Sequence, residues 1–487
     1  MREDFFEQTS HYTIGNALAT VAGLVSFPIL TRLLTIEEYG LMALITSSLG
    51  VLVAFGKCGV QNSTIRFYSE TRAGSSPWSL EQYYATVVYG MAALGTVAAC
   101  AWLIIITALP ESLLNDERLR PLLYMTVILV FIRVIESSVL NIFKAREQSG
   151  IVAIFTVLHR YGVLAAVVLT LYFVSRDLFG LFGATIVAEL TAVVVAITVL
   201  RRSVALKVSR YSSIMLRAML AFGIPMVALE VSGIILNIGD RYIIQTFLGA
   251  ADLGIYAAAY NLSEYIHAIL LVAIVSAVMP MYLRLWEDEG PEVTIKFINA
   301  ALRFYFVVSI PMVAGLSVIG SDLISFLASE KFAAGATVIP WVISGMIIGG
   351  TMTLLGAGLY INKQGLTLAG LVAGAAIINV LMNLFMVPAF GIEGAAMATL
   401  LSFALLGAGT FLLARKSVGV SIPWLLIIKT GAVAGSMYLF LPYIQLGHKL
   451  PTLVAQVICG GLYYAAVILV IDESSRRAAR DMLNRFR

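Results

Sequence analysis

The feature that most constrains this chain is a series of about fourteen apolar runs, each close to the length that crosses a bilayer, joined by short polar connections. A helix of about 20 residues at 1.5 Å rise covers a hydrocarbon core of about 30 Å. The runs lie near 11–33, 41–63, 83–108, 121–142, 151–174, 180–200, 218–247, 254–283, 299–320, 336–361, 366–388, 393–414, 424–445 and 453–471. They are too long for membrane strands and lack period-two alternation, so the expected fold class is all-α and polytopic. Composition agrees: 12% of the residues are charged, against about a quarter in soluble domains, and 60% are hydrophobic. In water such a chain would expose large adhesive patches, which lipid covers.

Orientation follows from Lys and Arg. With the N-terminus in the cytoplasm, and with Arg32 and Arg303 at the ends of their runs counted with the adjoining connections, 21 fall on the cytoplasmic side, 6 on the other and 5 within spans. That asymmetry places both termini inside and requires an even number of crossings. The first run has no small-residue cleavage motif before it and reads as an uncleaved span. The connections reach about twenty residues at most, leaving no room for an extramembrane domain. The net charge of +4 is dispersed, which excludes a nucleic-acid-binding domain. Cys58, Cys100 and Cys459 lie far apart, so neither a metal site nor a disulfide framework is expected. No Walker motif follows any glycine cluster. The spacings Gly345-x-x-x-Gly349, Gly370-x-x-x-Gly374 and Gly431-x-x-x-Gly435 are expected to allow close helix contact.

An internal repeat divides the chain. Residues 31–43 match 245–257 at a constant offset of 214, pairing Leu34 with Leu248, Glu38 with Asp252, Gly40 with Gly254 and Ala43 with Ala257. Six spans per half give both halves the same orientation, as in transporters with parallel repeats. The expected organisation is a six-helix lobe over 1–200, a basic cytoplasmic linker over 201–217, and a second six-helix lobe over 218–415. Two further helices cover 424–471, with a basic cytoplasmic tail over 472–487. Two lobes around a central cavity suit alternating access.

The same residues resemble the polysaccharide-biosynthesis (Wzx-type) flippases of the multidrug/oligosaccharidyl-lipid/polysaccharide exporter superfamily. The matching stretches are Phe27 to Gly40, Gly59 to Glu70, Asn237 to Ile244, and the Leu-Gly-Ala-Ala-Asp-Leu-Gly-Ile-Tyr segment that follows. The resemblance implies transfer of a polyprenyl-pyrophosphate-linked oligosaccharide, such as an O-antigen or exopolysaccharide repeat unit, from the cytoplasmic to the periplasmic leaflet of a bacterial inner membrane. It implies polysaccharide polymerase machinery as a partner alongside membrane lipid. A chain with enough spans to form its own cavity is expected to act as a monomer, and the membrane-depth carboxylates and His267 could couple transport to a proton or sodium gradient, with no other cofactor expected. Two other readings stay open: a drug or cation antiporter of the same superfamily, and a membrane glycosyltransferase or polymerase. The scattered acidic residues of the outer loops offer the last no paired acid and base.

Charges at membrane depth cost about 2.5–3.5 kcal/mol each near a helix centre, so each needs a reason. Lys57, Arg160 and Arg241 are the candidate cavity cations for the pyrophosphate. Glu136, Glu189, Glu230, Asp240, Glu264 and His267 are candidates for ion coupling or ion pairing. By spacing, Arg133 could neutralise Glu136, Glu189 could pair with Arg160, and Asp240 and Arg241 could be a structural pair. No catalytic or metal-ligating residue is assigned. Pro28, Pro225, Pro280, Pro311 and Pro340 would weaken the helix ladder locally and permit bending.

Overall fold

A computed structural model of the chain describes residues 2–110, 116–415, 417–477 and 480. Lys416, Arg485 and Arg487, which the charge asymmetry counts as cytoplasmic, lie outside the described residues. The described chain is helical: α1 (Arg2–Leu33), α2 (Ile36–Lys57), α3 (Val60–Arg72), α4 (Leu80–Ala108), α5 (Leu119–Ala145), α6 (Ser149–Phe173) and α7 (Leu178–Ser203). Next come α8 (Ser213–Ile238), α9 (Asp240–Phe247), α10 (Ala250–His267), α11 (Ala273–Asp288), α12 (Pro291–Leu327), α13 (Ile339–Gly350), α14 (Met352–Leu355) and α15 (Ala357–Ile361). The last three are α16 (Gly365–Ala414), α17 (Trp424–Phe440) and α18 (Lys449–Ile471).

Among the described residues, eleven helices are long and apolar enough to cross a membrane, and a bent pair over 330–355 makes a twelfth. The 50-residue α16 is two helices joined at Gly391 (φ 62°, ψ −144°). Counting its halves separately, and adding the helical stretch from Ala250 to Asp288, accounts for the fourteen crossings expected from sequence. Helix starts are written in the sequence. Thr35 and Glu38 form a capping box on α2, and Ser79 and Gln82 form one on α4. Asp177 caps α7 and Ser212 caps α8. Pro28, Pro225, Pro280 and Pro311 lie inside helices, whereas Pro340 opens one.

The chain divides into two compact units, Met1–Gly254 and Ile255–Arg487. In the first, α4, α5 and α8 enclose an apolar core that includes Tyr83, Val87, Met91, Ile142, Met215 and Met219. The basic linker is stitched to α4 here. Arg210 pairs with Glu81 at 3.1 Å, the Tyr89 hydroxyl donates to the Leu206 carbonyl, and the Ser212 amide donates to Thr86 Oγ1. Helix α8 consequently packs on α2, α3 and α4 of this unit, although the sequence placed it at the head of the second lobe.

In the second unit the long α12 carries α17 and α18 on its flank. Val433, Met437, Tyr464 and Ile468 pack against Val307, Ala314 and Val318, and the Tyr464 hydroxyl donates to the Val307 carbonyl at 2.8 Å. Gly345 and Gly349 let α13 lie against Leu400 and Phe403 of α16, as their spacing suggested. The other two spacings do not act this way. A methyl on Gly370, Gly374, Gly431 or Gly435 would meet nothing within 4 Å, because those faces turn outward.

Just past α18, Asp472 ties the added pair to α12. Its carboxylate accepts from Arg303 at 3.2 Å and lies 3.9 Å from Lys429. Burial pushes the Asp472 carboxyl up, but hydrogen bonds from Ser475 and the charges of Arg303 and Lys429 outweigh it and hold the group below the usual carboxylate range. A carboxyl lowered in the folded state contributes stability that is present above the unfolded value of about 3.9 and is lost as pH falls through the folded one. Asp472→Asn should therefore lower the melting temperature in detergent at pH 7, and the gap should narrow as both proteins are taken down through and below the usual carboxylate range.

Candidate functional site

The charged groups of the first unit cluster around a break in the second crossing. Helix α2 rises about 33 Å over its 22 residues, close to the thickness of a bilayer core. It stops where Cys58 and Gly59 adopt left-handed backbone angles (φ 46° and 73°), and α3 starts at Val60. The break is seated on α8. A β-carbon on Gly59 would lie 2.0 Å from the Gly223 carbonyl oxygen, and one on Gly223 would lie 2.6 Å from the Gly59 backbone, so only glycine fits at either place.

That contact aims two side chains at one carboxylate. Lys57 Nζ lies 2.6 Å from Glu230 Oε1, and Gln61 Nε2 donates to Glu230 Oε2 at 2.5 Å. The Lys57 and Glu230 side chains keep 17% and 27% of their exposure, so the pair is reachable from outside the core. Lys144 of α5 is close enough to Lys57 for their charges to repel. On α3, Arg66 pairs with Glu70 and stacks 4.7 Å over the Phe222 ring. Sequence reasoning found Lys57 and Glu230 but missed Gln61. The signal was its place four residues after Lys57, across the Gly56-Lys-Cys-Gly59 stretch.

A second set of charges joins α5, α6 and α7. Arg133 meets Glu189 through two nitrogens, with Nη2 at 2.7 Å and Nε at 3.0 Å, and the Glu189 side chain is 4% exposed. Glu136 accepts from His159 Nδ1 at 3.0 Å. The expected partners are thus exchanged: Arg133 does not turn to Glu136, and Glu189 is held by Arg133 instead of Arg160. The reason is geometric. Side chains three apart on a helix share a face, and the facing helices α6 and α7 offer partners there without bending either side chain back along its own helix.

The remaining candidates are dispersed. Arg160 is exposed on α6, and no ion pair engages it among the described residues. Asp240 and Arg241 open α9 and are buried, at 1% and 7% exposure. Arg241 Nη1 donates to Ser47 Oγ, and the neighbouring Tyr242 hydroxyl donates to Ser48 Oγ, both at 2.9 Å. In the second unit, Glu264 is exposed, while His267 Nε2 is buried with no hydrogen-bond partner among the described residues, immediately before a π-helical turn over Ala268–Val272. Among the described residues no group of three or more His, Cys, Asp or Glu side chains is placed to hold a metal.

Chemically, the two ion pairs of the first unit differ. Arg133–Glu189 is bidentate and its carboxylate is buried, which suits a brace between helices. Lys57–Glu230 joins a flexible point charge to a partly exposed carboxylate at a helix break, so another anion could take the carboxylate's place.

Residues 5–286 match the family described as "Polysaccharide biosynthesis protein". The chain belongs to that family. Two Haloferax volcanii proteins are similar to it: "Probable flippase AglR", 25% identical over 256 residues, and "Probable low-salt glycan biosynthesis flippase Agl15", 25% identical over 167 residues. The alignments cover 50% and 34% of this chain and 52% and 35% of the relatives, so it spans about half or less of their length. A solved structure of the lipid II flippase MurJ, in an inward closed conformation, superposes with TM-score 0.75 over 97% of this chain and 99% of that one, at 13% identity. An inward-facing multidrug resistance MATE family transporter superposes with TM-score 0.67 over 83% of this chain and 94% of that one, at 15% identity. The polysaccharide-biosynthesis family and the fold of the wider exporter superfamily are those that the sequence motifs implied.

Two predictions concern the brace. Arg133→Leu alone leaves Glu189 charged and buried, and should cost about 3–5 kcal/mol or prevent recovery of folded protein. Adding Glu189→Leu should restore most of the loss, read as melting temperature and monodispersity of the two variants side by side.

Proposed function

We propose that this protein is a transporter, not an enzyme, and that it flips a polyprenyl-pyrophosphate-linked oligosaccharide from the cytoplasmic to the periplasmic leaflet of a bacterial inner membrane. Family membership and a lipid-flippase fold over nearly the whole chain support a lipid-linked sugar as cargo. The observation that carries the reading is the Lys57–Glu230 pair at the α2–α3 break. Its lysine is already engaged with an oxyanion, it is partly accessible, and a second cation, Lys144, stands nearby. A pyrophosphate brings more charge than a carboxylate and would compete for Lys57, releasing Glu230 to Gln61 alone. Arg160 and Arg241 are the further cations along the head group's route.

In this reading both termini are cytoplasmic, the chain acts as a monomer, and polymerase machinery takes up the product. A proton or sodium gradient drives the cycle, with Glu264 and His267 of the second unit as the coupling groups and no other cofactor. The antiporter reading has one observation behind it, the MATE likeness, but that likeness covers 83% of the chain against 97% for the lipid flippase.

Flux of a lipid-linked oligosaccharide across liposomes containing the purified protein tests the proposal. Lys57→Ala should cut flux about tenfold or more, the equivalent of losing ~1.4 kcal/mol of charge-assisted binding. The charge-neutral pair Lys57→Met with Glu230→Gln should fold normally and show the same loss. Arg160→Ala and Arg241→Ala should each reduce flux by a smaller factor. Absence of flux with wild-type protein, together with proton-coupled efflux of a small cation, would overturn the reading in favour of the antiporter.

A further inference from the structure

The tie at Asp472 gathers more positive charge than it neutralises. Arg303 of α12 and Lys429 of α17 converge on this one carboxylate, just past the end of α18. The carboxylate is already full. Its Oδ2 accepts from Arg303 Nη2, the Ser475 amide and the Ser475 hydroxyl, and its Oδ1 accepts from Arg303 Nη2 as well. Those contacts use the roughly four lone-pair positions that a carboxylate offers. Lys429 Nζ stays 3.9 Å from Oδ1, beyond hydrogen-bond reach, and donates to the Ile471 carbonyl at 3.3 Å. Arg303 spends Nη2 alone; among the described residues its Nε and Nη1 have no acceptor.

Two cations thus share one anion, and they stand in front of it. The Arg303 and Lys429 side chains are 36% and 30% exposed, against 8% for Asp472. A further cation, Arg476, folds back onto the Leu469 and Val470 carbonyls, and Glu473 is taken by Arg477. The open donors face lipid. Phe304 follows Arg303 in the chain, Leu425 and Ile428 precede Lys429 on its helix, and all three are exposed apolar side chains. Exposed Trp424 opens α17 and exposed Tyr443 lies beyond its other end, as aromatic side chains do at the two bilayer interfaces. Lys429 is five residues in from Trp424, about 7.5 Å along the axis. Its ammonium reaches back toward that interface, to Ile471 and Asp472, which brings it to head-group level.

We propose that Arg303 and Lys429 form a site for the phosphate of a resident anionic phospholipid, drawn from the leaflet at the C-terminal end of α18. A phospholipid phosphate has two unesterified oxygens sharing one negative charge. One meets the free edge of the Arg303 guanidinium and the other meets the Lys429 ammonium. A zwitterionic lipid carries its own ammonium, which neutralises the phosphate and is repelled by these cations. A glycerol head group brings no such charge, so the site selects anionic lipid. Basic pockets between helices at this level of the membrane hold head groups in the same way. Here the lipid would fasten α17 and α18 to α12 alongside Asp472. The leaflet is the cytoplasmic one in the transport reading above, and nothing else in the proposal rests on that reading.

The test uses full-length protein in detergent micelles, with phosphatidylglycerol or phosphatidylcholine added at equal mole fraction. Native mass spectrometry counts the lipid retained, and the melting temperature is read in parallel. Wild type should retain phosphatidylglycerol in preference to phosphatidylcholine. Arg303→Gln together with Lys429→Gln should lower that preference about fivefold per cation removed. Lys363→Gln, which removes an exposed charge from a connection elsewhere on the same membrane face, should leave it unchanged. Should the Gln pair not fold, Asp472→Asn decides. It keeps both cations and removes their anion, so it should bind phosphatidylglycerol several-fold more tightly than wild type. The same lipid should recover most of the melting temperature that this variant loses in plain detergent, and neither phosphatidylcholine nor inorganic phosphate should do so. Equal retention of the two lipids by wild type would overturn the site, as would an equal loss of preference in Lys363→Gln. An Asp472→Asn defect that phosphatidylglycerol leaves uncorrected would also overturn it, and recovery by inorganic phosphate would overturn the lipid as its occupant. None of these readouts involves transport, so this site and the flippase reading fail separately.

Discussion

A charge carried into a bilayer must bring a partner or find one, and this requirement organises the first unit. The bilayer supplies no water to stabilise a lone carboxylate or guanidinium, so three of the interior charges on α2 and α5 each fix a neighbouring helix. Arg133 fixes α7 through Glu189, and Glu136 fixes α6 through His159. Lys57 fixes α8 through Glu230. Apolar packing alone would leave such helices free to slide, since lipid tails are as apolar as leucine. The polar pairs supply register.

The pairs are graded in permanence, and the grading follows helix geometry. Arg133 and Glu189 meet on unbroken helices with two parallel hydrogen bonds. Lys57 ends a helix at two left-handed residues, where glycine-to-glycine contact with α8 seats the interruption. The second repeat shows a comparable interruption: α10 gives way to a π-turn, and α11 restarts at Ala273, 214 residues beyond Gly59. Equivalent crossings in the two halves are therefore broken at equivalent depth. Gly40 and Gly254 meet at the opposite end of the same two crossings.

Much of this was legible in the sequence. Hydropathy gave the crossings, because burial in lipid demands continuous apolar length. Capping residues gave several helix starts, and the offset of 214 joined Gly40 to Gly254 before any contact was visible. Ion-pair partners were not legible. Spacing along one helix reports which side chains share a face, but not which neighbouring helix that face meets, so Arg133 was matched with Glu136 and Glu189 with Arg160. The division of the chain was hidden for a similar reason. A basic linker looks like a boundary, yet the hydrogen bonds of Leu206 and Ser212 to α4 bind it to the preceding helices, and α8 follows. Gln61 was hidden because a neutral amide in a polar stretch carries no signal until its acceptor is known.

The ladder on α5, α6 and α7 also bears on how the protein is made. Helices enter the membrane in chain order, and α5 arrives with Arg133 and Glu136 while α7 is still being synthesised. Until then Glu136, three residues away on the same face, is the acid within reach of Arg133. Arrival of α6 offers His159 to Glu136, and arrival of α7 offers Glu189 to Arg133. In the folded unit the pairing that local spacing suggests is replaced by pairings across helices, Arg133 with Glu189 and Glu136 with His159.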